Sequence, residues 1–268
     1  MFNETELIKI AIKAAIAAGN EILKVYSKDF EVEFKQDNSP LTLADQKAHN
    51  IIVNKLEKTG FPILSEEGKD IPYDIRKNWQ KFWMVDPLDG TKEFVKRNGE
   101  FTVNIALIDN GKAEAGVIFV PVTGVMYFAC NHYGAKKITV TDPLNIEINL
   151  LLENAIQLPF HNNPWKFTVV CSRSHMSQET KDYIDQLNIE GREMDFVSIG
   201  SSLKMCLVAE GSANIYPRFG PTMEWDTAAG QAIVEKSGGK VVVSDGHSPL
   251  LYNKPELLNP WFIVSRET

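Results

Sequence analysis

The chain has 268 residues, which is enough for one large domain or two smaller ones, and its 44% hydrophobic and 24% charged residues are typical of a globular protein. The net charge of −7 argues against a broad basic surface for nucleic acid, although it allows a local basic pocket. Three widely spaced cysteines without a CxxC pair argue against a disulfide framework and favour buried thiols in a reducing cytosol.

The N-terminus lacks the basic start, apolar core and cleavage site of a signal peptide. No uninterrupted apolar run is long enough to cross a bilayer, so we expect no transmembrane segment. These features predict a cytoplasmic protein. Peripheral association with the inner membrane and the oligomeric state are left open.

Two helices are predicted at the start of the chain. Asn3 followed three positions later by Glu6 is the pattern of a capping box, and apolar residues recur at helical spacing through Tyr26. A second helix is predicted to begin near Thr42 and to stop at Gly60. A short strand within FPILSEEG follows it and ends in two glutamates.

The segment WMVDPLDGTKEF, residues 83–94, predicts a buried strand followed by a loop with two acids. Pro87 is expected to break the apolar run after Asp86, and Asp89 lies one loop turn further on. Taken alone, this segment is also compatible with an ordinary turn, because Asp, Pro, Gly and Thr are all turn residues. A short helix, GTKEFVKR, is predicted to begin at Thr91.

The centre of the chain predicts a consecutive antiparallel sheet. Its strands are separated by the turn signals DNG, PVTG and NHYG. They are FTVNIALI, KAEAGVIFVP, GVMYFAC and AKKITV. The irregular stretch 141–164 is the candidate boundary between an N-terminal α+β sub-domain, residues 1–150, and a C-terminal α/β sub-domain, residues 151–268.

Beyond this boundary, helices and strands alternate, which indicates an α/β half with a mixed sheet. The predicted strands are FTVVCS, DFVSIGS, SANIYP, VVVSDG and WFIVS. The predicted helices are SHMSQETKDYIDQLNI, SLKMCLVAEG and EWDTAAGQAIVEKSGG, the last of which is expected to start at Asp226.

Carboxylates are predicted at the ends of four elements, where α/β proteins place their sites. They are Asp45, Glu66 with Glu67, Asp86 with Asp89, and Asp226. For any single acid a solvated loop position is the simpler interpretation, because the chain has 35 acidic residues. Converging acids would repel one another unless cations held them, and oxygen-only ligands favour Mg²⁺, Mn²⁺ or Ca²⁺ over zinc.

The loop after Asp86 has the chemistry for phosphoryl transfer. Two cations about 3.5–4 Å apart would clamp the attacking and leaving oxygens of a displacement at phosphorus. Asp86 is expected to bridge them, and Asp89 is expected to reach the second ion. Gly90 lets backbone approach a phosphate, and the helix that begins at Thr91 offers free N–H groups to an anion.

Three motifs, WMVDPLDGTKEF, ILSEEG and EWDTAAGQAIVEKSGG, resemble those of the inositol monophosphatase superfamily of lithium-sensitive, Mg²⁺-dependent phosphatases. The resemblance covers essentially the whole chain, in the same order. The longer run DPLDGTKEFVKRNGEFTVNIALI resembles the 3'(2'),5'-bisphosphate nucleotidase branch, since Glu93 stands where the inositol branch has the asparagine of DPIDGTxNF. CSRSH, residues 171–175, resembles the stretch that contacts the nucleotide there.

The resemblance implies an α/β, αβαβα-layered sandwich whose C-terminal part completes the metal and nucleotide site. It places a first Mg²⁺ at Glu66, Asp86 and the Leu88 carbonyl, with Mn²⁺ as a substitute. It places a second at Asp86, Asp89 and Asp226, and a third, weaker one near Glu67.

The resemblance also implies catalytic and substrate-binding residues. The catalytic set is Asp45, Thr91 and Glu66, with Thr91 oriented by Asp45 to help deprotonate the attacking water. The implied substrate contacts are Glu66, Leu88, Asp89, Gly90, Thr91, Ser172, His175, Gly200, Lys204 and Asp226. SIGSSLKM lacks the denser glycine spacing of some relatives, so Gly200 and Lys204 match the family's nucleotide-contact residues less closely than the other positions do.

The expected activity is Mg²⁺-dependent removal of the 3'-phosphate of adenosine 3',5'-bisphosphate (PAP), giving AMP, by two-metal activation of water. The resemblance extends it to PAPS and to a role in sulfate assimilation, with a small nucleotide rather than nucleic acid as partner. The alternatives are an inositol monophosphatase, a sugar bisphosphatase, or a non-catalytic PAP sensor. Preference among PAP, PAPS and 2'-phosphate isomers is left open.

Overall fold

The computed structural model describes residues 2–27, 32–34, 40–161, 165–171, 177–187, 189 and 191–266. Helix α1 (Glu4–Tyr26) begins with the predicted capping box. Asn3 Oδ1 accepts a hydrogen bond from the Glu6 amide at 2.9 Å, and Glu6 Oε2 accepts one from the Asn3 amide at 2.8 Å. Because both exposed amides gain a partner, the helix starts where the sequence predicts.

Helix α2 (Leu43–Leu56) follows a two-stranded sheet of β1 (Val32–Phe34) and β2 (Pro40–Thr42). A 3₁₀ turn over Glu57–Thr59 continues it to Gly60, whose φ of 78° ends the helical segment as predicted.

A seven-stranded sheet forms the centre of the N-terminal part, and its strands are neighbours in chain order. They are β3 (Ile63–Ser65), β4 (Lys81–Asp89), β5 (Thr102–Asp109), β6 (Lys112–Val120), β7 (Val125–Cys130), β8 (Gly134–Thr139) and β9 (Ile156–Gln157). β3 and β4 are parallel, and all other neighbours are antiparallel, which confirms the predicted meander. Short helices α3 (Tyr73–Arg76), α4 (Thr91–Val95) and α5 (Ile148–Asn154) lie in its connections.

Strand β4 does not stop at Pro87, so the expected break after Asp86 is wrong. Asp86 pairs with Asn104, Asp89 pairs with Thr102, and the register shifts between the two pairs. A proline has no N–H to give to a ladder, and an irregularity in the register is where a strand tolerates it. The irregularity brings both acids to the same end of the sheet.

A five-stranded mixed sheet forms the C-terminal part, as predicted, in the order β11-β10-β12-β14-β13. Its strands are β10 (Lys166–Cys171), β11 (Glu193–Ser198), β12 (Ile215–Arg218), β13 (Lys240–Val243) and β14 (Phe262–Ser265). The helices of this part are α6 (Gln178–Asp185), α7 (Leu203–Glu210) and α8 (Glu224–Lys236).

Helix α8 begins at Glu224, two residues before the predicted start. Asp226 lies in its first turn, and one carboxylate oxygen accepts a hydrogen bond from the Met223 amide at 2.8 Å. Asp226 therefore does not precede the helix but lies inside it, where it accepts a hydrogen bond from the amide of the residue before the first turn. For this reason α8 begins upstream of Asp226.

The layers follow from the alternation of side chains along the strands. Trp83 and Val85 of β4 face α1 and α2, whereas Phe82 and Met84 face α7 and α8. The second sheet covers the other side of α7 and α8, and α6 packs beyond it. This order of layers confirms the predicted αβαβα sandwich.

The first sheet includes β9, which lies past residue 150, so the division into sub-domains at that position stays a prediction. Within the described ranges, no helix is both long and apolar enough to span a bilayer.

Candidate active site

Three carboxylates meet at one end of the seven-stranded sheet. Oxygens of Glu66, Asp86 and Asp226 all lie within 4.8 Å of one another. β3 and β4 are parallel, with Ser65 opposite Val85, so the residues that follow each position are neighbours. The Glu66 amide donates to the Val85 carbonyl at 3.1 Å, which fixes this alignment. Asp226 reaches the same place from the first turn of α8.

Asp86 is 1% exposed, and its pKa lies well above the ordinary carboxyl value. Burial is the largest cause, and the charges of Glu66, Asp89, Asp226 and Asp45 raise it further. Burial and the charge of Asp89 likewise raise the pKa of Asp226. Buried carboxylates this close repel one another, and a bound cation would offset the repulsion, so the cluster is suited to binding a metal ion.

The donor set has the character of a hard-cation site. Its side-chain ligands are carboxylates, without cysteine or histidine in the cluster. Oxygen donors of this kind suit Mg²⁺ and Mn²⁺. Asp86 Oδ1 also accepts a hydrogen bond from the Leu88 amide at 3.1 Å, which stabilises the irregular stretch of β4 around Pro87.

The predicted phosphate loop lies directly behind these acids. Gly90 has a φ of 91°, and a Cβ added to it would lie 2.1 Å from Ser201 Oγ, so the turn requires glycine. Thr91 begins α4, and its hydroxyl lies 3.5 Å from the Leu88 carbonyl. Asp45 lies in the first turn of α2, and its side chain is buried. Its orientation of Thr91 stays a prediction.

Glu67 lies beside the cluster and next to His49. Its charge raises the pKa of His49, although burial lowers that pKa by more. His49 Nδ1 lies 2.9 Å from Ser65 Oγ, which ties α2 to the end of β3. The third-ion role of Glu67 stays a prediction.

A cavity of about 190 Å³ opens beside Asp89 and Asp226. Two of the four predicted nucleotide contacts, Gly200 and Lys204, line it. Lys204 Nζ donates to the Ser201 carbonyl at 2.6 Å, and burial lowers the lysine pKa.

The other two predicted nucleotide contacts, Ser172 and His175, lie outside the described residues. Their contact with the nucleotide stays a prediction.

Gly200 has a packing role that the sequence did not indicate. A Cβ there would lie 2.8 Å from Glu93 Cγ and 3.0 Å from the Glu100 carbonyl. The Gly200 amide donates to Glu100 Oε2 at 2.8 Å. Glu93 thus packs against the turn that lines the cavity.

Arg218 and Thr222 also line the cavity, and sequence reasoning missed both. Arg218 Nη2 donates to the Pro221 carbonyl at 2.8 Å, whereas its Nε and the Thr222 hydroxyl have no hydrogen-bond partner among the described residues. The charge of Arg218 lowers the pKa of Asp226, so it lies near the acids. The only sequence signal for it was an arginine directly after the strand SANIYP.

The sequence profile of the inositol monophosphatase family matches residues 3–263. The 3'(2'),5'-bisphosphate nucleotidase CysQ of Escherichia coli strain K12 is 48% identical over 254 residues, which cover 92% of this chain and 95% of the relative. The crystal structure of CysQ from Bacteroides thetaiotaomicron, a bacterial member of the inositol monophosphatase family, is 48% identical, with a TM-score of 0.89 and 99% of each chain covered. Extragenic suppressor protein suhB from Bartonella henselae is 26% identical, with a TM-score of 0.74, over 97% of this chain and 94% of its own.

Proposed function

The chain belongs to the inositol monophosphatase family, and we propose that it is a Mg²⁺-dependent 3'(2'),5'-bisphosphate nucleotidase. It removes the 3'-phosphate of PAP to give AMP and converts PAPS to APS in the same site. The observation that carries the proposal is the convergence of Glu66, Asp86 and Asp226 beside a cavity lined by Lys204 and Arg218. The three carboxylates would hold metal ions, and Lys204 and Arg218 would face the phosphates of the substrate.

The carboxylates are the metal-binding part of the site. Glu66, Asp86 and the Leu88 carbonyl would hold one Mg²⁺, Asp89 and Asp226 would join Asp86 at another, and Glu67 would contribute to a third. Bound cations neutralise phosphate charge and lower the pKa of water. Mn²⁺ is expected to substitute, because it accepts the same oxygen donors.

The phosphate loop provides the groups that act on the ester. Gly90 and Thr91 present backbone amides to the phosphate oxygens, as the start of a helix does for anions. Thr91 Oγ1, oriented by Asp45, would help deprotonate the attacking water: as the water proton moves to Thr91 Oγ1, the hydroxyl proton of Thr91 moves to the Asp45 carboxylate. Phosphoryl transfer of this kind requires alignment and charge stabilisation more than covalent help.

The cavity lining supports a bisphosphate as the substrate. A substrate with a second phosphate brings further negative charge, and Lys204 and Arg218 provide two cations on the wall. Ser172 and His175 are proposed to contact the nucleoside. An inositol monophosphate carries no second anion to pair with these cations.

A phosphate-release assay with PAP, PAPS, inositol 1-phosphate and fructose 1,6-bisphosphate, each with and without Mg²⁺, tests the proposal. We expect PAP to have the highest kcat/KM and release to require Mg²⁺. Faster turnover of inositol 1-phosphate would reject the nucleotidase proposal in favour of an inositol monophosphatase. Faster turnover of fructose 1,6-bisphosphate would reject it in favour of a sugar bisphosphatase. Tight PAP binding without any phosphate release would instead indicate a PAP sensor.

A further inference from the structure

The carboxylate of Asp89 is held through one of its two oxygens. Asp89 Oδ2 accepts from the Ser202 amide at 2.6 Å and from the Ser202 hydroxyl at 2.8 Å. Asn104 Nδ2 and Thr102 Oγ1 approach the same oxygen at 3.4 and 3.5 Å. Among the described residues no donor contacts Oδ1, so the two oxygens have different surroundings.

The Ser202 hydroxyl joins the two elements that present the predicted ligands of the second ion. It lies 2.8 Å from Asp89 Oδ2 at the end of β4 and 2.8 Å from the backbone carbonyl of Asp226 in α8. Ser202 is 4% exposed, so these contacts are shielded from water. A hydroxyl has one proton, so it donates to one of these oxygens at a time.

A buried amide directs this hydroxyl. Asn104 Nδ2 donates to Ser202 Oγ at 2.9 Å, while Asn104 Oδ1 accepts from Thr102 Oγ1 at 2.9 Å. Because Asn104 donates to Ser202 Oγ, the Ser202 proton does not point towards Asn104 Nδ2 and is available to Asp89 Oδ2 or to the Asp226 carbonyl. Both strand residues are buried, so the network has no competing solvent.

Ser202 also occupies the position before α7 without capping it. A serine there usually accepts from an amide in the first turn, but its φ of −68° and ψ of −5° leave the side chain without a capping bond. Its own amide, at the start of the helix, donates to Asp89 instead. The side chain and the amide of one residue thus both hold the acid.

The turn that presents Ser202 is itself constrained. Ser201 has a φ of 51°, an uncommon value for a residue with a side chain. Its hydroxyl lies 2.7 Å from the Glu100 carbonyl and 3.0 Å from the Asp89 carbonyl. These contacts fix the Ser202 amide against the end of β4.

We infer that Ser202 is a positioning residue for metal binding, which fixes Asp89 through Oδ2 and leaves Oδ1 as the oxygen available to a cation. The inference rests on the proposed Mg²⁺-dependent function, in which Asp89, Asp86 and Asp226 share the second ion. Partners that orient a metal ligand typically change metal affinity by about 10- to 100-fold.

The test is Ser202→Ala, which removes the hydroxyl and keeps the amide. Mn²⁺ binding to the nucleotide-free protein is measured by calorimetry and by electron paramagnetic resonance. We expect one Mn²⁺ to bind about 10- to 100-fold more weakly while another keeps its affinity. The Mg²⁺ concentration for half-maximal PAP hydrolysis should rise similarly, with a smaller change in kcat at saturating Mg²⁺.

Ser212→Ala is the matched control, because Ser212 donates to a buried carboxylate at the other end of α7, Glu210 Oε1 at 2.9 Å. It should leave Mn²⁺ binding unchanged. Ser202→Thr keeps the hydroxyl and should bind both ions within a few-fold of wild type. Equal weakening by the Ala and Thr variants would overturn the role of the hydroxyl.

The outcomes separate this inference from the proposed function. Wild-type Mn²⁺ binding that Ser202→Ala leaves unchanged overturns the positioning role and leaves the nucleotidase proposal standing. Selective weakening in a protein that does not hydrolyse PAP supports the positioning role and rejects the substrate. A wild-type protein that binds no divalent cation rejects both.

Discussion

Helix α8 carries two acids in its first turn, and their surroundings are opposite. Glu224 is fully buried, and its carboxylate accepts from Asn253 N at 2.6 Å, from Lys254 N at 3.0 Å and from Lys254 Nζ at 2.5 Å. Asp226, two residues later, lies near Asp86 and Asp89. Burial raises the pKa of both Asp86 and Asp226, and the charges of neighbouring acids raise both values further.

This difference distinguishes an acid that stabilises the fold from acids that we propose bind a metal ion. Donors and a cation satisfy Glu224, so the protein alone completes its environment. In the cluster around Asp86, oxygens of Glu66, Asp86 and Asp226 lie within 4.8 Å of one another, so like charges oppose one another there. Burial alone would not separate the two regions, but the sign of the neighbouring charge does.

Asp86→Asn tests the functional side of this comparison and should have the largest effect. It should lower kcat for PAP at least 10²–10³-fold at saturating Mg²⁺, because Asp86 is proposed to contact both ions and to stabilise the developing charge. Steady-state phosphate release is the measurement. Retention of more than a tenth of wild-type kcat would contradict this role.

Glu224→Gln tests the structural side. It should lower the free energy of unfolding by about 3 kcal/mol, since breaking a buried ion pair leaves Lys254 without its charged partner. Urea unfolding in the absence of metal measures this. Asp86→Asn is the matched control and should not destabilise the metal-free protein, because it removes a repelling charge. A similar loss of stability in both variants would abolish the distinction.

The pH dependence of stability should differ between metal-free and metal-bound protein. Because the folded state raises the pKa of Asp86 and Asp226, it binds more protons than the unfolded chain above pH about 4, the ordinary carboxyl range. The stability that protonation of Asp86 and Asp226 gives the folded state is therefore fully present below pH about 4. It is lost as pH rises through the raised pKa values of these two groups.

Thermal melts at pH 5 and pH 7.5 test this pH dependence, with Asp86→Asn as the reference for all other titrating groups. Relative to that variant, the metal-free wild type should lose stability between the two pH values, and saturating Mg²⁺ should restore it. Equal pH profiles for the two proteins without metal would show that the cluster carries no net repulsion.

Lithium should inhibit the reaction, and its effect on the stability of the fold should be the smallest of the effects predicted here. Li⁺ is close to Mg²⁺ in size but has half its charge, so it relieves less of the repulsion around Asp86. PAP hydrolysis at fixed Mg²⁺ should fall as LiCl is added, with NaCl as the control for ionic strength. Li⁺ should also raise the melting temperature less than Mg²⁺ does. Full activity in LiCl matched to that NaCl control would contradict the lithium prediction.

The sequence by itself determined the elements whose signals are local. Asn3 and Glu6 start α1 because the capping bonds span three residues. Gly60 ends the 3₁₀ turn that continues α2, because its backbone adopts a positive φ. The strand order of the meander also followed from the chain, since short turns make neighbours of consecutive strands. The family and its layered fold were predictable from three motifs in order.

The tertiary structure alone decided which side chains surround the acids. Ser202 contacts Asp89 across 113 residues of chain, and Arg218 reaches the cavity from the end of β12. Neither shows a periodicity or a motif, because a hydrogen bond between distant segments constrains two positions without constraining the residues beside them. The passage of β4 through Pro87 is likewise decided by its pairing with β5, which local preferences oppose. Residue types along the chain thus indicate which chemistry is present, whereas packing decides which of those groups meet and which acid has a donor or a like charge for a neighbour.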